Sequence, residues 1–191
     1  MGKIESIVVY CGGADGDNPI YREEAYKLGR IIAQNGIKLI YGAGGRGVMG
    51  AIAEGAMDKG GYLIGATIQE FYDVERPDLT ESKIQQFEVW DKMSDRKVSM
   101  TKQATAICVL PGGYGTLDEL FEMLTLRQKR IIRLPIIIVN INGFFNTARK
   151  LILELKEKKF IKAEDYNLPV FVENVADVIP AVLRQIRGKH A

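Results

Sequence analysis

Short apolar runs alternate along this chain with longer stretches in which apolar side chains recur every three or four positions. That alternation predicts a parallel sheet covered by helices. Strands are expected at 7–10, 37–41, 62–67, 83–89, 106–110 and 136–139, with a short further run at 170–172. Between them, Pro19 opens a helix in which Tyr21, Ala25, Leu28 and Ile32 share one face, and Asn35-Gly36 closes it. A small-residue helix after residue 50 offers Ala53 and Ala56 for close packing, and further helices are predicted over 91–103, up to about Gln128, over 144–158 and over 177–187. Asp177 is placed as the cap of the last one, so that Pro180 falls in the first turn, where no intrahelical amide is lost. Residues 69–82, with Pro77, read as a loop. There are no internal repeats and no linker-like tracts, so the chain reads as one α/β domain over residues 1–191, with 1–5 and 188–191 expected to fray.

Composition narrows the possible partners. The chain is 47% hydrophobic, enough for a sizeable core, and its 26 basic and 24 acidic residues are spread out, which is unlike the basic face of a nucleic-acid binder. No apolar run approaches the roughly 20 residues that span a bilayer, and residues 1–10 lack a signal-peptide pattern, so a cytoplasmic protein is expected. Cys11 and Cys108 sit in apolar runs without metal-ligand spacing and read as buried thiols. The one histidine, His190, lies next to the C-terminal residue. Imidazole-based triads and metal sites are therefore set aside, leaving carboxylates, Arg, Lys and backbone amides to carry any chemistry.

Two glycine-rich loops each follow a strand and precede a helix, the position at which open α/β sheets bind ligands. The first, Gly42-Ala43-Gly44-Gly45-Arg46-Gly47, matches GxGxxG. It follows the second strand instead of the first, and Glu70 is the nearest late acidic candidate, so three readings stand: a tight turn, a dinucleotide site, or nucleotide contact of another kind. The second, Pro111 to Leu120, reads PGGYGTLDEL. Its Gly112, Gly113 and Gly115 free backbone amides, and Thr116 adds a hydroxyl where a helix dipole favours a monophosphate. Thr116-Leu117-Asp118-Glu119 is equally a capping box. Both readings stay open on pattern alone.

PGGYGTLDE resembles the PGGxGTxxE motif of the Lonely Guy (LOG) family, cytokinin riboside 5'-monophosphate phosphoribohydrolases whose relatives often carry a lysine decarboxylase label. VYCGG at 9–13, YGAGGRGVMG at 41–50 and Met93-Ser94-Asp95-Arg96-Lys97 match further family segments in order and spacing, and the similarity runs from about residue 5 to 160. The resemblance implies a Rossmann-like, or flavodoxin-like, homodimer with a parallel sheet of about six to seven strands. It implies release of a free purine base and ribose 5-phosphate from a nucleoside 5'-monophosphate, without metal or other cofactor. It places catalysis on Arg96 and Glu119, and the phosphate on Gly112, Gly113, Tyr114, Gly115 and Thr116, with Lys97 adding positive charge nearby. It assigns substrate contacts to Asp78, where the family usually has Glu, and to Met93, Thr125, Gly44 and Gly45. No lysine is recognisable as a pyridoxal phosphate anchor.

The chain departs from the family in two places. Cys11-Gly12-Gly13-Ala14 stands where the family often reads CGSS, removing two hydroxyls. After Thr125 the family's TWxQLGxHxKP becomes Thr125 to Pro135 without its Trp, His or Lys, which leaves plain AMP as a substrate beside prenylated adenine nucleotides. Met49, Met93 and Met100 could line an apolar base pocket or simply fill core. Two rival classes remain: a non-catalytic nucleotide- or cofactor-binding Rossmann protein, which would hold a ligand without base release, and an NAD-dependent enzyme using the first loop.

Overall fold

The computed structural model describes residues 3–72 and 84–188. The apolar runs become β1 (Ser6–Tyr10), β2 (Lys38–Tyr41), β3 (Leu63–Ile68), β4 (Gln86–Trp90), β5 (Ala106–Val109), β6 (Ile136–Val139) and β7 (Pro169–Val172). They form one sheet in the order β4-β3-β2-β1-β5-β6-β7, and each neighbouring pair is parallel. The helices are α1 (Ile20–Gln34), α2 (Gly47–Asp58), α3 (Gln69–Tyr72), α4 (Met93–Lys102), α5 (Tyr114–Gln128), α6 (Asn146–Glu157) and α7 (Val178–Arg187).

The strands are apolar at nearly every position because both sheet faces are covered. Side chains alternate between the faces with period two. Ile7 and Val9 meet Leu28 and Ile32 of α1, Ile52 of α2 and Val182 of α7. Val8 and Tyr10 turn the other way, towards Met100 of α4 and Leu120 and Met123 of α5. Both cysteines are buried free thiols, as their apolar surroundings predict.

Five details differ from the sequence reading. The 69–82 segment opens with the short helix α3, and β4 starts at Gln86 instead of residue 83. Helix α2 begins inside the first glycine-rich loop, at Gly47, because that glycine adopts φ +62° and so turns the chain directly into the helix. The segment before β1 is packed: Ile4 is buried and the Glu5 carbonyl accepts the Lys38 amide at 3.0 Å. Asp177 does precede α7, but its side chain makes no cap bond. Asp78 and His190 lie outside the described residues. Among the described residues, no helix is long and apolar enough to cross a membrane.

Strand order reverses at β1, which has β2 on one side and β5 on the other. Connections leaving β1 and β5 must diverge there, and a crevice opens at the carboxyl ends of the strands. The two exits touch at its floor, where the Gly12 amide donates to the Pro111 carbonyl at 3.0 Å. A Cβ on Gly12 would lie 3.0 Å from the Gly112 Cα, so any side chain there would push the two exits apart by a few tenths of an ångström.

Candidate active site

The crevice is a cleft of about 740 Å³, and the loops after β1, β2, β5 and β6 contribute to it, together with α4 and α5. Gly44, Gly45, Met93, Arg96, Lys97, Gly112, Gly113, Gly115, Thr116 and Glu119 all line it. The structure therefore brings together most of the site residues expected from sequence, drawn from segments up to 75 positions apart (44 to 119).

One end of it is the start of α5. Gly113 occupies the cap position and Tyr114 is the first helical residue, so Thr116 sits third in the helix and cannot be its cap. This corrects the capping-box reading: Thr116 and Glu119 are both already inside the helix. The first helix-closing bond runs from the Leu117 amide to the Gly113 carbonyl at 3.1 Å. The amides of Tyr114, Gly115 and Thr116 precede that bond and have no intrahelical acceptor. They stand at the positive end of the helix dipole. A Cβ on Gly13, Gly113 or Gly115 would meet nothing within 4 Å. These glycines thus leave open space beside backbone amides, as close approach by a ligand requires. Tyr114 itself turns outward, 93% exposed, and contributes its amide without lining the cleft.

The first loop is built differently. The Val48 amide donates to the Ala14 carbonyl at 3.3 Å, the Met49 amide to the Gly12 carbonyl at 3.0 Å, and the Gly44 amide to the Met49 Sδ at 3.2 Å. The loop after β1 occupies the N-terminus of α2, where a dinucleotide pyrophosphate would have to sit. The dinucleotide reading fails on that ground; Gly42, Gly44, Gly45 and Arg46 nevertheless line the cleft, so the tight turn and nucleotide contact of another kind both stand.

Gly42 has a separate role. A Cβ there would lie 2.5 Å from Arg96 Nη2, so its absence lets the guanidinium pass under the β2 loop. Arg96 is 7% exposed. Its Nε donates to the Ala66 carbonyl of β3 at 2.8 Å, and its Nη1 reaches the Met93 Sδ at 3.3 Å and Glu119 Oε1 at 3.4 Å. Arg96 is thus anchored to the sheet, which excludes a merely solvated helix face. Burial pushes the Glu119 carboxyl up to about 7, against the opposing pull of the Arg96 and Lys97 charges. A carboxyl poised there exchanges a proton readily at neutral pH. Cys11 also lines the cleft, but burial raises its thiol so far that it stays protonated and unreactive.

Lys97 lines the cleft, yet its ammonium is held by Asp118 at 2.9 Å and Glu122 at 2.5 Å. Its charge is therefore neutralised from α5, and the expected free cation beside the phosphate is absent. Thr125 does not line the cleft; it is exposed farther along α5, with its hydroxyl donating to the Phe121 carbonyl at 2.8 Å. Sequence reasoning missed Tyr21, Phe71 and Phe144, which add aromatic walls. Their position just after strands or at a helix start was the available signal. Among the described residues no cluster of three or more side chains could hold a metal ion.

A family model described as possible lysine decarboxylase matches residues 49–182. The chain is 31% identical over 177 residues to a cytokinin riboside 5'-monophosphate phosphoribohydrolase of Arabidopsis thaliana, covering 93% of this chain and 80% of that one. The chain belongs to the LOG family. A second LOG relative, from Oryza sativa subsp. japonica, is 34% identical over 163 residues, covering 85% of this chain and 66% of that one. Among solved structures, the molybdenum cofactor carrier protein of Chlamydomonas reinhardtii superposes with a TM-score of 0.72 at 22% identity, covering 97% of this chain and 99% of that chain. The molybdenum cofactor binding protein of Rippkaea orientalis gives 0.72 at 20% identity, with the same coverage. These structures share the Rossmann-like fold. The decarboxylase wording finds no support in the LOG-type cleft, because the lysine that lines it, Lys97, is ion-paired and pushed upward. Burial alone would lower it, but Glu122 and Asp118 more than offset that. A Schiff-base lysine needs the opposite shift.

Proposed function

We propose that this protein hydrolyses the N-glycosidic bond of a purine nucleoside 5'-monophosphate, giving the free base and ribose 5-phosphate. The observation that carries the reading is the buried Arg96–Glu119 pair, 3.4 Å apart, beside the open, glycine-lined start of α5. The α5 amides and the Thr116 hydroxyl bind the phosphate dianion. With the phosphate there, the ribose lies over Glu119 and Arg96.

Cleavage of the C1'–N9 bond leaves positive charge on the ribose and sends the bonding pair to the base. Ionised Glu119 stabilises that positive charge and takes a proton from the attacking water, whose oxygen becomes bonded to C1'. Arg96 keeps Nη2 directed past Gly42, where it relieves charge developing on the departing base. The proton removed from water ends on the base, so the sum is addition of water across the bond. The reaction calls on no redox step and no Lewis acid. We further infer that the working form is a cytoplasmic homodimer, that Asp78 helps hold the substrate, and that plain AMP is accepted alongside prenylated adenine nucleotides.

The test is incubation of purified protein with AMP and with isopentenyladenosine monophosphate, following free base by chromatography, with Glu119→Gln as control. Base release that disappears in the variant supports the reading. Nucleotide bound but recovered intact would favour a carrier role.

A further inference from the structure

Lys97 is the neighbour of Arg96 on α4, and its side chain is only 12% exposed. Two carboxylates of α5 hold its ammonium, Asp118 at 2.9 Å and Glu122 at 2.5 Å. These residues lie one helical turn apart, with Glu119 between them in sequence, so the contacts bridge α4 to the stretch of α5 that carries Glu119. Lys97, Asp118 and Glu122 together carry a formal charge of −1, which is a poor attractor for a phosphate dianion.

We propose that Lys97 is a positioning residue: it clamps α4 to α5 through Asp118 and Glu122, keeps Arg96 and Glu119 in register, and makes no contact with the substrate. The Arg96–Glu119 separation of 3.4 Å shows why a clamp matters. It is longer than the 2.7–2.9 Å of a strong charge-assisted bond, so a small drift between the helices would break the pair. The Ala66 carbonyl fixes Arg96 to the sheet, whereas Glu119 depends on where α5 lies. Glu119 is faced by Arg96 and Lys97 from α4, by Asp118 on its own helix, by Tyr10 at the end of β1 and by Cys11 just after it. Burial keeps Tyr10 and Cys11 protonated, so the cations favouring ionised Glu119 both come from α4.

This inference rests on the phosphoribohydrolase reading, and its test has one arm that does not. The full chain is compared with Lys97→Met, Lys97→Arg and Glu122→Gln for kcat and KM on AMP. Glu119 is also titrated through its ¹³C-labelled carboxyl resonance. For Lys97→Met and Glu122→Gln we expect kcat to fall about ten- to a hundredfold with KM changed by less than about threefold, and Lys97→Arg to recover part of the loss. The Glu119 titration should move upward in Lys97→Met. A KM raised about tenfold with kcat intact would make Lys97 a phosphate ligand and overturn the proposal. Glu122→Gln behaving as wild type, or an unmoved Glu119 titration, would overturn it as well. Wild-type protein that releases no base would sink the hydrolase reading alone, and the titration would still decide whether Lys97 governs Glu119.

Discussion

The two glycine-rich loops look alike as text and differ as structures. The loop at 42–47 is closed by its own chain: carbonyls of Gly12 and Ala14 take up the first amides of α2, and Met49 sulfur takes up Gly44. The loop at 112–116 leaves its helix-start amides facing a cleft, with empty space where two of its glycine side chains would be. A glycine-rich string therefore predicts close approach to the backbone without saying what approaches. In the first loop it is the loop after β1, and in the second we infer a phosphate.

The sharpest way to break that comparison is at Glu119. Glu119→Gln should lower kcat on AMP by about 10²–10⁴-fold while the protein still folds, as expected when a general base is lost. Next in size is Gly47→Ala, which forces a side chain into φ +62° and against the Gly13 backbone. We expect it to destabilise the protein by about 2 kcal/mol or more in denaturant unfolding. Third, Gly115→Ala should split the two properties. A Cβ there meets nothing within 4 Å, so stability should rise by up to about 1 kcal/mol, while KM for AMP increases because the methyl occupies ligand space. The smallest effect belongs to Tyr114→Ala, with a 93% exposed side chain and an amide that survives the change. Stability should stay within about 0.5 kcal/mol.

pH gives an independent handle on the second loop. With Glu119 titrating near 7 in the folded protein, kcat should rise with pH through about 7 if ionised Glu119 is the base. The same shift has a definite sign for stability. The folded state holds the Glu119 proton more tightly than the unfolded chain, whose carboxyl titrates near 4.5. Stability contributed by this group is thus fully present below pH 4.5 and is lost as pH rises to about 7. Glu119→Gln should therefore stabilise the protein at pH 8 relative to wild type and have little such effect at pH 4. Equal effects at both values would contradict the buried, raised carboxyl.

The sheet was legible because parallel strands buried on both faces are continuous apolar runs; β6, at 136–139, needed no adjustment. The proposed catalytic pair was legible through motif resemblance, since nothing in the spacing of Arg96 and Glu119 shows that the helices after β4 and β5 bring them to one place. The capping box failed for a physical reason. Helix α5 starts three residues earlier than the pattern suggested, because Gly113 can serve as a cap with no side chain at all. Lys97 lines the cleft as expected, but its pairing was not legible, because its partners, Asp118 and Glu122, belong to another helix and sequence alone does not say which cations are already paired. Their four-residue spacing around Glu119 was the one available hint.

The contact between Gly12 and Pro111 also has a consequence for the order in which the molecule assembles. β1 is made first, but its second neighbour, β5, arrives only about a hundred residues later, as the Ile7–Ala106 register requires. Until then one edge of a strand that is wholly buried in the finished fold has no partner, and the crevice has only one wall. Pairings of such long range make folding slow and leave strand edges open to association. A nascent chain stopped short of β5 should therefore bind no nucleotide and tend to aggregate, and ligand binding should be among the last properties the emerging protein acquires.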